Sequence, residues 1–182
     1  LDEKNYWKGL NIFNIRKNGK ISNINNLVVK NITETDSGLL DLTGGLSFYN
    51  SRININKLNI DNSIAEDALN IVKSDIAISD LNIKNALSDG FDCDFCTGKI
   101  TNVSLNEING DGLDLSGSKL FIDKVKAYLI RDKVVSIGEE STINLVVEKV
   151  EDSFLAVAIK DGSTANVNLF DVETYGPLVM AY

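Results

Sequence analysis

The chain is 182 residues long, 43% apolar and 24% charged, which suits one folded domain with a continuous core rather than a disordered segment. Its 26 acidic and 18 basic side chains, with no histidine, leave a net charge of −8; a nucleic-acid partner would be repelled, and no basic stripe offsets that. No apolar run approaches the ~18 residues of a membrane-spanning helix, and two cysteines build no disulfide framework and leave the redox compartment open.

The chain opens at Leu1 without a methionine or a signal peptide, so the sequence reads as processed or as an excerpt of a larger protein. Tyr6, Trp7 and Phe13 fall in its least regular part. They are expected to cover the edge of the first complete coil, or else to stack on sugar rings. Ile24, Leu27, Val29 and Ile32 are an early copy of a pattern that recurs further on, separated from it by an irregular insertion.

From residue 43 a repeat dominates. TGGLSFYNSRINI (43–55), EDALNIVKSDIAI (66–78), SDGFDCDFCTGKI (88–100) and GDGLDLSGSKLFI (110–122) align beneath one another. Each opens with small or acidic residues and then alternates: Leu46 and Phe48 match Leu69 and Ile71, then Phe91 and Cys93, then Leu113 and Leu115. A period of two is a strand with one buried face. A second strand follows in every unit, with core positions Ile55, Ile78, Ile100, Ile122, Leu145 and Val167 at steps of 23, 22, 22, 23 and 22. Ile60, Ile83, Leu105, Ala127, Val150 and Val172 run in parallel. Between the two lie Leu58, Leu81, Val103, Val125 and Phe170; Glu148 interrupts this column, and Val147 is expected to swing in.

A unit near 22 residues is too short for a βαβ crossover and shows no helical stripe. Strands that recur once per lap must stack on their own equivalents, so the expected fold is all-β: a single right-handed parallel β-helix of about seven coils, on the order of 35 Å long at a coil spacing of about 4.8 Å. Residues 1–45 would form irregular N-terminal coils, 46–175 the regular ones and 176–182 the start of a further coil. β-Branched residues suit the stacks. Asn and Gly suit the corners, with Asn59 over Asn82 and Asn62 over Asn85 as candidate ladders. Pro177 is the only proline. The terminal PLVMAY is apolar with no polar cap, which adds the expectation of further coils beyond Tyr182.

YWKGL (6–10), LTGGLSFYNS (42–51), EDALNIVKS (66–74), SDGFDCDFCTGKI, GDGLDLSGS (110–118), RDKVVSIGEES (131–141) and KDGS (160–163) together resemble a bacterial right-handed β-helix region. Such regions are found in large proteins that also carry a spore-coat-protein-H-like kinase domain, and the fold is of the pectate-lyase type. The resemblance implies the fold and a multidomain parent, hence other domains of the same chain as partners. It brings no active site to these residues. The family pattern tends to serine where Cys93 and Cys96 stand.

The aspartates fall in rows. Asp67, Asp89, Asp111 and Asp132 step by 22, 22 and 21 and are expected to stack at one corner. Asp92 lies under Asp114 on the outward face, with Asn70 one coil before and Asp94 beside them. Stacked carboxylates repel. Turn N–H groups, basic neighbours or a cation must relieve this: a Ca²⁺ site of Asp92, Asp94 and Asp114 is one reading, and turn-bonded or solvated aspartates are the other. Enzymes of this fold that act on uronate polymers pair such an acidic, calcium-assisted groove with a base. Arg131 and Lys133 are the residues placed for that role, by fold analogy alone. Alternation points Cys93 inward between Phe91 and Phe95 as a small hydrophobe, with Cys96 at the turn; one C-x-x-C pair without histidine is no zinc set. The triplets at Asn31 and Asn102 are chance-level glycosylation matches, and the GDG and TGG glycines are corners rather than phosphate loops. No outward threonine row supports ice binding.

The expected function is that of a non-catalytic, rigid module of a larger bacterial surface or secreted protein, located outside the cell. A polysaccharide is its partner class, and no cofactor is required beyond the Ca²⁺ candidate. A uronate lyase or epimerase is the competing reading.

Overall fold

The computed structural model describes residues 5–14, 19–35 and 42–182. Each lap is a strand, a corner and a second strand. Chain order gives β1 (Trp7–Lys8) and β2 (Leu10–Phe13), β3 (Ser22–Thr33) and β4 (Gly44–Tyr49), β5 (Arg52–Ser63) and β6 (Asp67–Val72), and β7 (Asp75–Ala86) and β8 (Asp89–Asp94). It continues with β9 (Thr97–Ile108) and β10 (Leu113–Ser116), β11 (Lys119–Ile130) and β12 (Lys133–Gly138), β13 (Thr142–Ser153) and β14 (Leu155–Ile159), and β15 (Thr164–Thr174) and β16 (Val179–Ala181). The odd-numbered strands form one eight-stranded parallel sheet and the even-numbered strands another. This is a right-handed parallel β-helix of about eight laps, one more than the repeat count predicts. The additional lap comes from β1 and β2, whose short strands carry too little pattern to show in the sequence. Regular pairing also starts earlier than expected, since β3 lies in register on β5 from Ser22.

The predicted core column is the observed one. Ile55, Ile78, Ile100, Ile122, Leu145 and Val167 are successive register partners, and all but half-buried Val167 are shut off from solvent. In the neighbouring column Val125 pairs with Val147, which pairs with Leu169. Val147 does replace Glu148, but the column then continues through Leu169. Phe170 is 73% exposed. The reason is a register irregularity confined to this column: Val125 pairs one residue early, with Val147, while its flanks Ile122 and Ala127 keep their register with Leu145 and Val150.

Two left-handed corners close each lap from β3–β4 to β13–β14. Asn31, Asn62, Asn85, Glu107, Leu129 and Asp152 hold φ between 48° and 67° late in the long strands. Asn50, Lys73, Phe95, Gly117, Glu139 and Asp161 hold φ between 47° and 60° after the short ones. Asparagine favours this conformation, but the lap requires it whatever the residue. Asn82 Nδ2 donates to Asn59 Oδ1 (3.2 Å), as the stacking predicts. Asn62 and Asn85 share a corner without bonding each other: Asn62 donates to Asn31 (2.6 Å) and Asn85 to Asp61 (2.9 Å).

Directly after the second corner runs a buried ladder of Ser51, Ser74, Cys96, Ser118, Ser141 and Ser163. Ser74, Ser118, Ser141 and Ser163 accept the backbone N–H of Ser51, Cys96, Ser118 and Ser141 respectively, at 2.9 to 3.1 Å. Ser51, Ser74 and Ser118 also donate to a carbonyl of their own lap two residues back. These hydroxyls satisfy amides that the turn would otherwise leave orphaned in the core. The row was missed in the sequence, although it recurs at 22 or 23 residues.

Cys96 takes a rung of this ladder, and its sulfur is bonded to Cys93. Cys93 is buried, as the alternation predicts, and the redox state that the sequence leaves open is a disulfide; the expectation that fails is the inward placement of Phe95. Phe95 adopts φ 54° and turns outward, 52% exposed, which returns Cys96 to the interior beside Cys93.

Two substitutions check the shifted column: Val147→Ala should cost about 2 kcal/mol, because a buried cavity opens. Phe170→Ala should stay within about 0.5 kcal/mol; urea denaturation measures both. Leu129 sits at a corner that its branched side chain disfavours. Leu129→Asn should therefore stabilise by about 0.5–1 kcal/mol, visible as a rise of a few degrees in melting temperature.

Candidate functional site: an acidic groove on the short-strand sheet

The outward face of the even-numbered strands follows from the two-residue period. Its central column runs Ser47, Asn70, Asp92, Asp114 and Ser136, each the register partner of the next. Ser47, Asn70 and Ser136 are buried although they point away from the core. They form the floor of a trench. Around Asn70 the trench widens into a groove of roughly 470 Å³, with Asp67, Asp89, Asp92, Asp94, Asp114 and Tyr49 along it. Tyr49 stacks on Phe13 of the preceding lap, ring centroids 5.0 Å apart and planes 14° from parallel. Phe13 therefore has a role here, while Tyr6 and Trp7 tie the first lap down by hydrogen bonds to Asn62 and to the Lys30 carbonyl.

The corner column begins as the repeat predicts, with Asp67 paired to Asp89. The Asp111 N–H donates to Asp89 Oδ1 (2.8 Å), and the Lys133 N–H donates to Asp111 Oδ1 (3.0 Å). The register that pairs Leu113 with Val135 sets Lys133 above Asp111. The fourth member of the column is therefore Lys133 rather than Asp132, because this lap is 22 residues where the aspartate spacing is 21. Lys133 Nζ lies 2.9 Å from Asp111 and 2.6 Å from Asp132. Burial works to lower the Lys133 ammonium, but its bonds to Asp132 and Asp111 override this and hold it above the usual lysine range. The two glycines of this corner fit close approach: a Cβ at Gly90 or Gly112 would come to 2.6 Å of the next lap's carbonyl oxygen.

In the groove no such cation intervenes between Asp92 and Asp114. Asn70 Nδ2 donates to Asp92 Oδ2 (2.7 Å), Asp67 Oδ2 (3.1 Å) and Thr43 Oγ1 (3.3 Å). Burial is the main force raising Asp92 to about 8, with the charges of Asp67, Asp94, Asp114 and Asp89 adding to it. Burial also lifts Asp89 to about 6 against the opposing Asp111 N–H, and moves Asp67 and Asp94 upward. The sheltered Oδ1 atoms of Asn70 and Asp114 have no donor. Among the described residues no three acidic or cysteine side chains converge tightly enough to hold a metal ion. Asp92, Asp94 and Asp114 thus line one groove without forming a coordination shell. Arg131 lies apart from them, in a separate cleft with Asn85, Glu107 and Leu129.

Because folded Asp92 holds its proton more tightly than an unfolded aspartate, which titrates near about 4, its contribution to stability is lost as pH rises from about 4 through about 8. Asp92→Asn should remove that loss. The variant's melting temperature should exceed the parent's by a few degrees at about pH 8 and match it near pH 4; calorimetry across that range reads the difference.

Comparison with protein-family models, with curated proteins and with solved structures finds no match, so the functional argument rests on the chemistry of this groove.

Proposed function

We propose that the chain is a non-catalytic binding module that holds a carbohydrate in the groove of the short-strand sheet. The observation that carries this reading is the juxtaposition of the Tyr49–Phe13 stack with a row of carboxyl and amide groups inside one groove. A sugar presents the matching chemistry: an apolar C–H face that lies on an aromatic ring, and hydroxyls that bond carboxylates and amides around its rim. The rigid, evenly spaced laps suit an extended polymer, because each lap offers the same face again.

Support for a non-catalytic role comes from the base that a lyase would need. Lys133 is held protonated by two carboxylates, and an ammonium that keeps its proton abstracts none. Arg131 lines a different cleft. The Cys93–Cys96 disulfide suits an oxidising compartment, in line with a surface or secreted protein. The larger bacterial parent with a spore-coat-H-like kinase domain belongs to the same proposal and rests on the sequence resemblance.

Affinity electrophoresis in gels cast with soluble polysaccharides tests the reading. Retardation by at least one polymer is expected, with Tyr49→Ala weakening it about tenfold, the loss of one stacked ring. Unchanged mobility in every gel would remove the binding reading. Unsaturated uronate product, read by ultraviolet absorbance in the presence of Ca²⁺, would put the lyase in its place.

A further inference from the structure

The two ends of the solenoid differ from its middle in pairing and in packing. Among the described residues β1 covers only Ile32 and Thr33 of β3, β2 pairs only with β4, and β15 and β16 pair only with the strands behind them. An open strand edge is a template for a further strand. The core opens at the same places. Ile12, Ile24 and Leu27 at the start, and Ile159, Val167 and Leu169 at the finish, are among the apolar side chains that pack on the core only half-covered. Leu10 and Val179 are the two ends of a single register column, and so are Ile12 and Ala181. Leu10 is 37% and Val179 45% exposed. Strand β2 of one copy set on β16 of another continues both columns with apolar side chains on each side of the seam, which removes those faces from water.

Charge says which ends meet. Residues 4–33 hold six basic side chains and no acidic one, and residues 161–182 hold three acidic ones and no basic one. Lys8 on β1, and Asp171 and Glu173 on β15, stand at opposite ends of one sheet. These three and Lys20 are exposed, and none of the four makes an ion pair among the described residues. A symmetric pairing of like ends sets charge against like charge. Opposite ends attract, and they also meet in the direction in which the parallel ladder already runs.

We propose that the chain associates with a second copy of itself head to tail, the basic end with β2 seated on the acidic end with β16. The contact is heterologous and lies along the solenoid axis, so it does not close: each pair keeps one free end of each kind and growth continues into a longer rod.

Sedimentation velocity of the whole chain from about 10 µM to about 1 mM tests this. Mean size should rise with concentration without stopping at a dimer, and raising salt from about 0.05 M to about 0.5 M should weaken association about tenfold. Lys8→Glu/Lys20→Glu and Asp171→Lys/Glu173→Lys change only exposed side chains and should fold, which circular dichroism checks. Each alone should associate about tenfold or more weakly than the parent. Mixing the two should restore pairing, because the unchanged acidic end of the first meets the unchanged basic end of the second. Lys84→Glu/Lys119→Glu, with the same change in net charge in the middle of the solenoid, should associate as the parent does. A chain that stays monomeric throughout overturns the proposal and leaves the acidic end to the further coil that the sequence suggests. A dimer that grows no further, a mixture that fails to pair, or an equal loss in Lys84→Glu/Lys119→Glu overturns it as well.

Discussion

Parallel hydrogen bonding between successive laps is the constraint on which the rest of the molecule depends. A lap must return the backbone to the same place one strand spacing further on, so its residues stand over their equivalents whether or not their chemistry suits it. Left-handed corners after both strands make the return possible. They recur with such regularity that Lys73, Phe95, Glu107 and Leu129 adopt a conformation more natural to asparagine and glycine.

Stacking like over like rewards apolar and amide side chains and penalises charged ones. The isoleucine column packs without interruption, the asparagines pass hydrogen bonds from lap to lap, and the serines cap buried amides at the corner. For aspartate the same geometry concentrates negative charge. Along the corner column the molecule answers with turn N–H groups and ends the row on Lys133. On the trench floor only Asn70 intervenes, and burial pushes the Asp92 carboxyl toward its protonated form. The two columns differ accordingly: one is satisfied from within, while on the other Asn70 Oδ1 and Asp114 Oδ1 find no donor among the described residues.

The disulfide fits the same logic. Cys96 occupies a position where other laps place a serine, and its bond to Cys93 crosslinks the interior where a hydroxyl would otherwise bond to a carbonyl. A loop this short constrains the unfolded chain little, so the bond substitutes for a local hydrogen bond rather than stapling distant parts of the solenoid together. Its outward neighbour Phe95 packs over Gly117 of the next lap, where a Cβ would meet the ring at 2.5 Å, which ties the crosslinked corner to the coil above.

The periodic hydrophobic residues were sufficient to determine the fold class, the lap length and the identity of the core column, because an apolar residue every 22 or 23 positions can be buried only by stacking on itself. The acidic rows were legible for the same reason. The exposure of Phe170, the replacement of Asp132 by Lys133 and the outward turn of Phe95 were decided by tertiary structure, since each follows from a shift of one residue that composition and period do not register. The trench was decided there too. Sequence alternation marks Ser47, Asn70 and Ser136 as outward and therefore solvated, but all three are buried, because neighbouring columns cover them, and Asn70 comes to line an acidic groove that alternation alone does not show.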